Sequence, residues 1–134
     1  MIVIDSSAVV AILFREPSTD ALTACLVADP ERIMSTASYL ETGIVLARRR
    51  TSERLKAIDD LNAFLNATGI TLVTVDAAQA RLALHARIVY GRGMGTGGSL
   101  NFGDAFSYAP AKSFNAPMLF VGNDLSTTDV QSAL

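Results

Sequence analysis

Three aspartates stand where a parallel sheet could bring them together. Asp5 directly follows the apolar run Met1–Ile4, and Asp124 follows a second apolar run at 118–121. Asp104 lies in the first turn of a predicted helix, where free backbone N–H groups and the helix dipole favour a carboxylate. Ligands of open α/β sheets bind beyond the carboxyl ends of the strands. These three side chains are therefore expected at one edge of one sheet.

A fourth acid, Glu41, can reach the same edge from a helix. It lies beside the apolar stripe formed by Leu40, Ile44 and Ala47, rather than opposite to it, and a residue there can face the sheet edge. Two alternatives stay open at this point. Asp5 could serve only as a helix cap, and a single glutamate on a helix is usually solvated.

Four carboxylates gathered within a few ångströms repel one another and require a cation. No lysine or arginine lies within a few residues of Asp5, Asp104 or Asp124. A divalent metal is the simplest compensation, and a ligand set made only of oxygen selects Mg²⁺ or Mn²⁺ over zinc. The acidic residues therefore predict a hard-metal site.

The elements that position these residues alternate along the chain. Strands are predicted near 2–5, 32–35, 70–75 and 118–121, with the first strand central because it is wholly apolar. Helices are predicted over Ser6–Phe14, 18–29, from Thr36 or Ser38 to about Arg50, Ser52–Thr68, Asp76–Tyr90, from Asp104 onward, and briefly after Thr127 or Thr128. This alternation indicates an α/β fold of three layers, with a parallel sheet covered by helices on both faces.

Other side chains have weaker claims to a chemical role. Arg48, Arg49 and Arg50 could contact phosphate, although cations also stabilise a helix end. The loop Gly91–Gly98, which carries Arg92, contains a formal dinucleotide-binding pattern, but a helix precedes it instead of a strand. A mobile flap beside the acidic edge is expected instead. His85 is expected to be a packed or surface histidine, because the chain has no second histidine.

Composition bounds the class of protein. The 134 residues indicate one domain, residues 1–134, and no signal peptide or membrane-spanning segment is expected. The single cysteine, Cys25, favours a cytoplasmic location. The net charge of −2 does not exclude RNA, since two bound Mg²⁺ would reverse its sign. Half of the residues are hydrophobic. The helices near 8–14, 19–28 and 53–65 are expected to carry surplus apolar surface that a second copy or another partner covers.

The sequence resembles the PIN-domain proteins of the VapC toxin type along essentially its whole length. The resemblance rests on Met-Ile-Val-Ile-Asp-Ser-Ser at the start, Leu-Glu at 40–41, Leu-Asn-Phe-Gly-Asp-Ala-Phe-Ser-Tyr-Ala from residue 100, and Leu-Phe-Val-Gly-Asn-Asp-Leu-Ser-Thr-Thr-Asp from residue 119. The last two motifs are specific, whereas the Leu-Glu pair alone would not be.

This resemblance implies a Mg²⁺- or Mn²⁺-dependent endoribonuclease that leaves 5′-phosphate and 3′-hydroxyl ends. It implies Asp5, Glu41, Asp104 and Asp124 as catalytic metal ligands, with Ser7, Asn101 and Asn123 as supporting residues. It also implies a homodimer, an RNA substrate that Arg48, Arg49, Arg50 and Arg92 could contact, and inhibition by a small cognate antitoxin.

Two departures and two alternatives accompany this interpretation. The loop before Leu100 is glycine-rich where many relatives carry an arginine, and Pro110 should kink or shorten its helix. A phospho-acceptor regulatory domain also places aspartates at this edge, but it needs paired acids after the first strand and a lysine after a late strand. Here Asp5 is followed by serines and Lys112 falls within a helix. A PIN-like domain that binds RNA without cutting it is the second alternative.

Overall fold

The computed structural model describes residues 1–134 and contains one parallel sheet. Its strands are β1 (Ile2–Ile4), β2 (Arg32–Ser35), β3 (Ile70–Val73) and β4 (Met118–Leu119), arranged in the order β3-β2-β1-β4. The predicted central position of β1 is confirmed, since β2 and β4 flank it. The predicted strands at 70–75 and 118–121 are shorter than expected. The sheet therefore gives way to loops earlier on the side where the acidic residues follow.

Helices cover both faces of the sheet, which confirms the three-layer α/β architecture. They are α1 (Ser6–Leu13), α2 (Thr19–Ala28), α3 (Thr36–Arg49), α4 (Lys56–Thr68), α5 (Ala77–Tyr90) and α6 (Asp104–Ser113). Alternate residues of β1 face opposite layers. Ile2 and Ile4 pack with residues of α1 to α4, whereas Val3 packs with residues of α5 and α6. Each layer thus has its own buried core, and the sheet lies between them.

Three predicted helix details are wrong. The helix α4 begins at Lys56 rather than at Ser52. The helix α6 continues to Ser113, so Pro110 does not end it, whereas the expected kink stays a prediction. The proline removes one N–H donor, but the Phe114 N–H still donates to the Pro110 carbonyl at 2.9 Å. No helix follows Thr127 or Thr128.

The tail is extended because it pairs with the edge of the sheet. The Met118 N–H donates to the Gln131 carbonyl at 2.9 Å, and the Ala133 N–H donates to the Met118 carbonyl at 2.8 Å. Asp129 is held by Tyr108 and Lys112, each at 2.9 Å. The C-terminal residues therefore shield the outer edge of β4, which has only two residues.

The exposed apolar surface differs from the predicted one. The helix α1 buries residues 8–11, and α3 buries Ser38, Thr42 and Leu46. The stripe beside Glu41 faces solvent, with Leu40 62% and Ile44 44% exposed. Further exposed apolar side chains come from the predicted regions of α2 and α4, and others from α5 and the loop before α6: Val27, Leu55, Ile58, Leu84, Ile88, Val89 and Phe102. None of the helices is long and apolar enough to cross a membrane.

Candidate active site

The carboxylate of Asp5 is buried where β1 passes into α1. It caps α1, and only 2% of the residue is exposed. Its Oδ2 accepts hydrogen bonds from the Ser7 backbone N–H at 2.9 Å and from the Ser7 hydroxyl at 2.5 Å. Its Oδ1 accepts one from the Ser107 hydroxyl at 2.6 Å. Ser7 Oγ in turn accepts from the Val121 N–H at 3.0 Å. Asp5 is thus a helix cap and also a fixed carboxylate at the sheet edge.

Glu41 reaches this edge from α3. Ser6 Oγ donates to Glu41 Oε2 at 3.1 Å, although Ser6 lies 35 residues earlier. Burial raises the pKa of Glu41, and the negative charge of Asp5 raises it further. The backbone of Gly103 lies so close that a Cβ atom there would come within 2.4 Å of Glu41 Oε1. The carboxylate is therefore confined between α1 and the start of α6, rather than free in solvent.

Asp104 is held by reciprocal capping at the start of α6. Its Oδ2 accepts from the Asn101 N–H, and its own N–H donates to Asn101 Oδ1, both at 2.9 Å. The pKa of Asp104 is raised to about 6, chiefly by burial. The charges of Asp5, Asp124 and Glu41 contribute to the shift, and the hydrogen bond from Asn101 opposes it. The Asp104 carboxylate is therefore close enough to the other three acids for their charges to affect its pKa. Asn101 supports the site by shaping this turn.

Asp124 occupies the open side of the site, in the loop after β4. Its Oδ1 lies 3.1 Å from the guanidinium of Arg92, and the side chains are 68% exposed for Arg92 and 43% exposed for Asp124. Ser99 anchors the same glycine-rich loop by donating to the backbone carbonyls of Asn123 and Asp124 at 3.4 and 3.3 Å. The loop therefore brings the Arg92 guanidinium to the acidic edge. Sequence analysis did not predict this contact, because Arg92 and Asp124 are 32 residues apart. The Asn123 side chain makes no hydrogen bond within the chain.

The arginines that end α3 have different surroundings. Arg49 lies 4.5 Å above the Phe14 ring and 3.6 Å from Glu16, and Arg50 pairs with Asp60. Both therefore brace the fold. Arg48 makes no such pair and lines a groove that Glu41 also lines. Of the three, Arg48 is the one placed toward the acidic residues.

Asp5, Glu41, Asp104 and Asp124, called the acidic site below, fit a hard divalent cation by their chemistry. All of their donors are oxygens, and the raised pKa values of Glu41 and Asp104 reflect negative charge held in a partly desolvated place. No three acidic, histidine or cysteine side chains yet enclose a position where an ion could sit. The carboxylates would therefore have to change rotamer to enclose one, and their role as ligands stays a prediction.

The raised pKa values make the stability of the metal-free protein depend on pH. Asp104 has a pKa of about 6 when folded against 3.8 ordinarily, so the folded state binds the extra proton between these values. The free energy of unfolding should therefore increase as pH falls from 7 to about 4. After allowance for solvent screening, we expect a gain of about 1–2 kcal/mol.

Urea unfolding in EDTA between pH 4 and 7.5 measures this gain. Asp29 accepts a hydrogen bond from the Glu31 N–H and Asp129 accepts one from Lys112, and these bonds lower their pKa values. Both carboxylates should therefore reverse the trend below pH 4. In Asp104→Asn the rise should be much smaller. Stability that falls steadily from pH 7 to 4 in the unmodified protein would contradict the shift.

Besides the contact of Arg92 with Asp124, two interactions at the site were missed by sequence reasoning. Ser6 was considered only as a helix cap, and Ser107 was not considered. Ser107 lies one helical turn after Asp104, so both must face the same side of α6. That spacing was the available signal, but the partner of Ser107 lies 102 residues away. The lysine that a phospho-acceptor domain would need is also displaced, because Lys112 contacts Asp129 instead of the acidic site.

Comparisons with known proteins agree with this geometry. Residues 2–131 match the model of the PIN domain family. A protein named Ribonuclease VapC from Mycolicibacterium smegmatis is 46% identical over 128 residues, covering 96% of each chain.

Solved structures share the fold at low sequence identity. VapC20 of Mycobacterium tuberculosis, described as a toxin that cleaves the Sarcin-Ricin loop, superposes with a TM-score of 0.77 at 18% identity, over 97% of this chain and 96% of that one. A toxin–antitoxin complex from Klebsiella pneumoniae contains a chain with a TM-score of 0.66 at 15% identity, over 100% of this chain and 98% of that one.

Proposed function

Since the chain belongs to the PIN domain family, and within it to the VapC ribonucleases, we propose that it is a metal-dependent endoribonuclease and the toxin of a toxin–antitoxin pair. The observation that carries this proposal is the placement of Asp104, whose pKa is raised chiefly by burial and further by the charges of Asp5, Asp124 and Glu41. These acids come from separate parts of the chain and meet at the carboxyl edge of the sheet.

The acidic residues have distinct roles in this mechanism. Asp5 supplies a buried carboxylate whose orientation is fixed, and Asp104 and Glu41 supply carboxylates that are partly desolvated and so attract a cation strongly. These three would hold Mg²⁺ or Mn²⁺. Asp124, on the open side, would either hold a second ion or orient the attacking water. A bound ion lowers the pKa of water and offsets charge that develops on the phosphate oxygens.

No histidine is needed as a general base in this scheme. His85 is exposed on α5, and it makes no hydrogen bond or ion pair within the chain that would orient it for proton transfer. The acidic residues would hold the ion, and the ion would supply the activated water in place of an imidazole base. The RNA backbone approaches from the side of Asp124, which is the exposed acid.

Arg92 and Arg48 are the proposed RNA contacts. Replacing Arg92 by glutamine should weaken RNA binding and reduce the slope of log Kd against log salt by about 0.7, as expected for one lost phosphate contact to a single strand. Folding stability should change by less than about 0.5 kcal/mol, since an exposed ion pair contributes little. Fluorescence anisotropy with labelled RNA in EDTA, which prevents cleavage, measures both quantities.

Arg49→Gln is the matched control. Arg49 is another of the arginines that could contact RNA by sequence, but its guanidinium lies over the Phe14 ring. It should leave the salt slope unchanged while lowering stability slightly. An equal salt slope for Arg92→Gln and the unmodified protein would exclude Arg92 as a phosphate contact.

The exposed apolar surface supports two protein partners. One groove of 480 Å³ runs between α3 and the start of α6, and its lining includes Ile44, Phe102 and Glu41. A second, of 250 Å³, lies between α3 and α4 and includes Leu55 and Ile58. We assign these grooves to a second copy of the chain and to an antitoxin helix. The first groove opens beside Glu41, so an inhibitor there could place a basic side chain at the acidic site and compete with Mg²⁺.

Light scattering at micromolar concentration tests for the homodimer, and a monomer would contradict it.

Competition between the inhibitor and Mg²⁺ is tested by titrating Mg²⁺ into the inhibited complex. Inhibition that is insensitive to metal would mean that the inhibitor blocks RNA entry without contacting the acidic site.

The lone thiol of Cys25 and the RNA substrate are consistent with a cytoplasmic protein.

The proposed function is tested with purified protein and total cellular RNA, in Mg²⁺, in Mn²⁺ and in EDTA. We expect cleavage with either ion and none in EDTA, and mapping of the new ends should show 5′-phosphate. Protein that binds RNA but leaves it intact with both ions would identify a non-cleaving RNA-binding domain instead.

A further inference from the structure

A chain of buried hydroxyl groups lies directly behind the acidic site. Ser38 on α3 and Ser107 on α6 are both fully buried. Their hydroxyl oxygens lie 3.0 Å apart, and Ser107 Oγ lies 2.6 Å from Asp5 Oδ1. The chain Ser38–Ser107–Asp5 therefore crosses from α3 through α6 to the end of β1.

The direction of these hydrogen bonds follows from their donors. An ionised carboxylate can only accept, so the single proton of Ser107 must point to Asp5. The bond between the two serines then has Ser38 as the donor and Ser107 as the acceptor. Each bond polarises the next, and the Ser38 hydroxyl strengthens the hydrogen bond that Asp5 receives.

The same serines tie together the elements that carry the other acids. Ser38 lies three residues before Glu41, and Ser107 lies three residues after Asp104. Residues with this spacing share one face of a helix. The Ser38–Ser107 contact therefore fixes the separation of α3 and α6 at the level where Glu41 and Asp104 project toward Asp5.

We propose that Ser107, oriented by Ser38, is a positioning residue that fixes the Asp5 carboxylate for divalent-cation binding. The inference rests on the proposed function. Ser7 alone fixes Oδ2, so without Ser107 the Oδ1 atom has no hydrogen-bond partner in the chain and the carboxylate can rotate. Groups that orient metal ligands in this way typically contribute a factor of about 10–100 to metal affinity or activity.

Ser107→Ala tests the proposal through Mn²⁺ binding to RNA-free protein, measured by electron paramagnetic resonance and calorimetry. We expect Mn²⁺ affinity to fall about tenfold or more, and the Mn²⁺ concentration for half-maximal cleavage to rise in parallel. Ser107→Cys, which keeps the size but is a weaker donor, should lose less affinity. It also keeps the test available if the alanine variant folds poorly.

Thr42→Val is the matched control. Thr42 is also fully buried on α3, but its hydroxyl donates to the Ser38 backbone carbonyl at 2.7 Å instead of to Asp5. It should lower the melting temperature about as much as Ser107→Ala while leaving Mn²⁺ affinity unchanged. Equal losses of affinity in the two variants would mean that general loosening of the core is responsible, which overturns the proposal.

A double-mutant cycle tests the part assigned to Ser38. Ser38→Ala should weaken Mn²⁺ binding less than Ser107→Ala does, and it should add no further loss in the Ser107→Ala background. Independent, additive losses would overturn the hydroxyl chain. Wild-type Mn²⁺ affinity in Ser107→Ala refutes this inference alone, whereas failure of the unmodified protein to bind Mn²⁺ or to cleave RNA refutes the proposed function.

Discussion

Asp104→Asn is expected to abolish RNA cleavage and to raise the melting temperature of the metal-free protein. The substitution removes a charged ligand from the acidic site, and a loss of at least about a hundredfold in cleavage rate follows from lost charge stabilisation. It also removes a carboxylate whose pKa is raised to about 6. Keeping this carboxylate ionised at pH 7.5 lowers the free energy of unfolding, so its removal stabilises the fold. The Asn101 N–H keeps an oxygen acceptor at residue 104. We expect a rise of about 3 °C or more.

Asp5→Asn is the informative comparison, because it should abolish cleavage but lower stability. Both carboxylate oxygens of Asp5 accept hydrogen bonds, from Ser7 and from Ser107, so the NH₂ of an asparagine would face a donor. Cleavage assays and thermal melts in EDTA measure both effects. Residual activity within tenfold of the unmodified protein in either variant would remove that residue from the catalytic assignment.

Gly103→Ala should reduce cleavage strongly while leaving the fold nearly as stable. The backbone of Gly103 is right-handed, with φ of −64°, so alanine fits without strain. Its Cβ, however, would lie 2.4 Å from Glu41 Oε1 and 2.7 Å from Glu41 Cδ. The flexible glutamate must move, and a displacement of about 1 Å at a reacting centre can reduce the rate about a hundredfold. Single-turnover cleavage at saturating Mg²⁺ measures the loss.

Gly43→Ala is the control for this substitution. Gly43 lies two residues from Glu41 on α3, and its Cβ would meet only Leu61 at an ordinary 3.7 Å. It should leave cleavage unchanged and stabilise the helix by up to about 1 kcal/mol. If Gly103→Ala also cleaves at the unmodified rate, then the observed place of Glu41 is not required for activity.

The architecture was predictable because local patterns determine it. Short apolar runs alternating with capped helices leave few arrangements other than a parallel sheet with two helical layers. The sequence predicted less well which face of each helix is buried. Leu40 and Ile44 form the more hydrophobic face of α3, yet α3 packs through Ser38, Thr42 and Leu46. Sequence periodicity shows that a face exists, but only tertiary packing decides which neighbour covers it.

The acidic site was predictable in its members but not in its connections. The positions of Asp5 and Asp124 after strands, and of Asp104 at a helix start, placed them at one edge before the fold was known. The contacts of Arg92 with Asp124 and of Ser107 with Asp5 join residues 32 and 102 positions apart. Such contacts depend on how loops and helices pack, and no short motif encodes them. The extended tail was missed for the same reason, since its partner is the edge of β4.

The pairing of β1 with β4 also has a consequence for protein synthesis. The first acid, Asp5, is translated early, but Asp104, Asp124 and β4, one of the two strands that flank β1, follow about 100 residues or more later. At about 5–20 residues per second, the ribosome needs roughly 5–20 s to pass from Asp5 to Asp104. A nascent chain therefore cannot assemble the acidic site during most of its translation. The acidic site can form only after Asp124 has been synthesised and has left the ribosome.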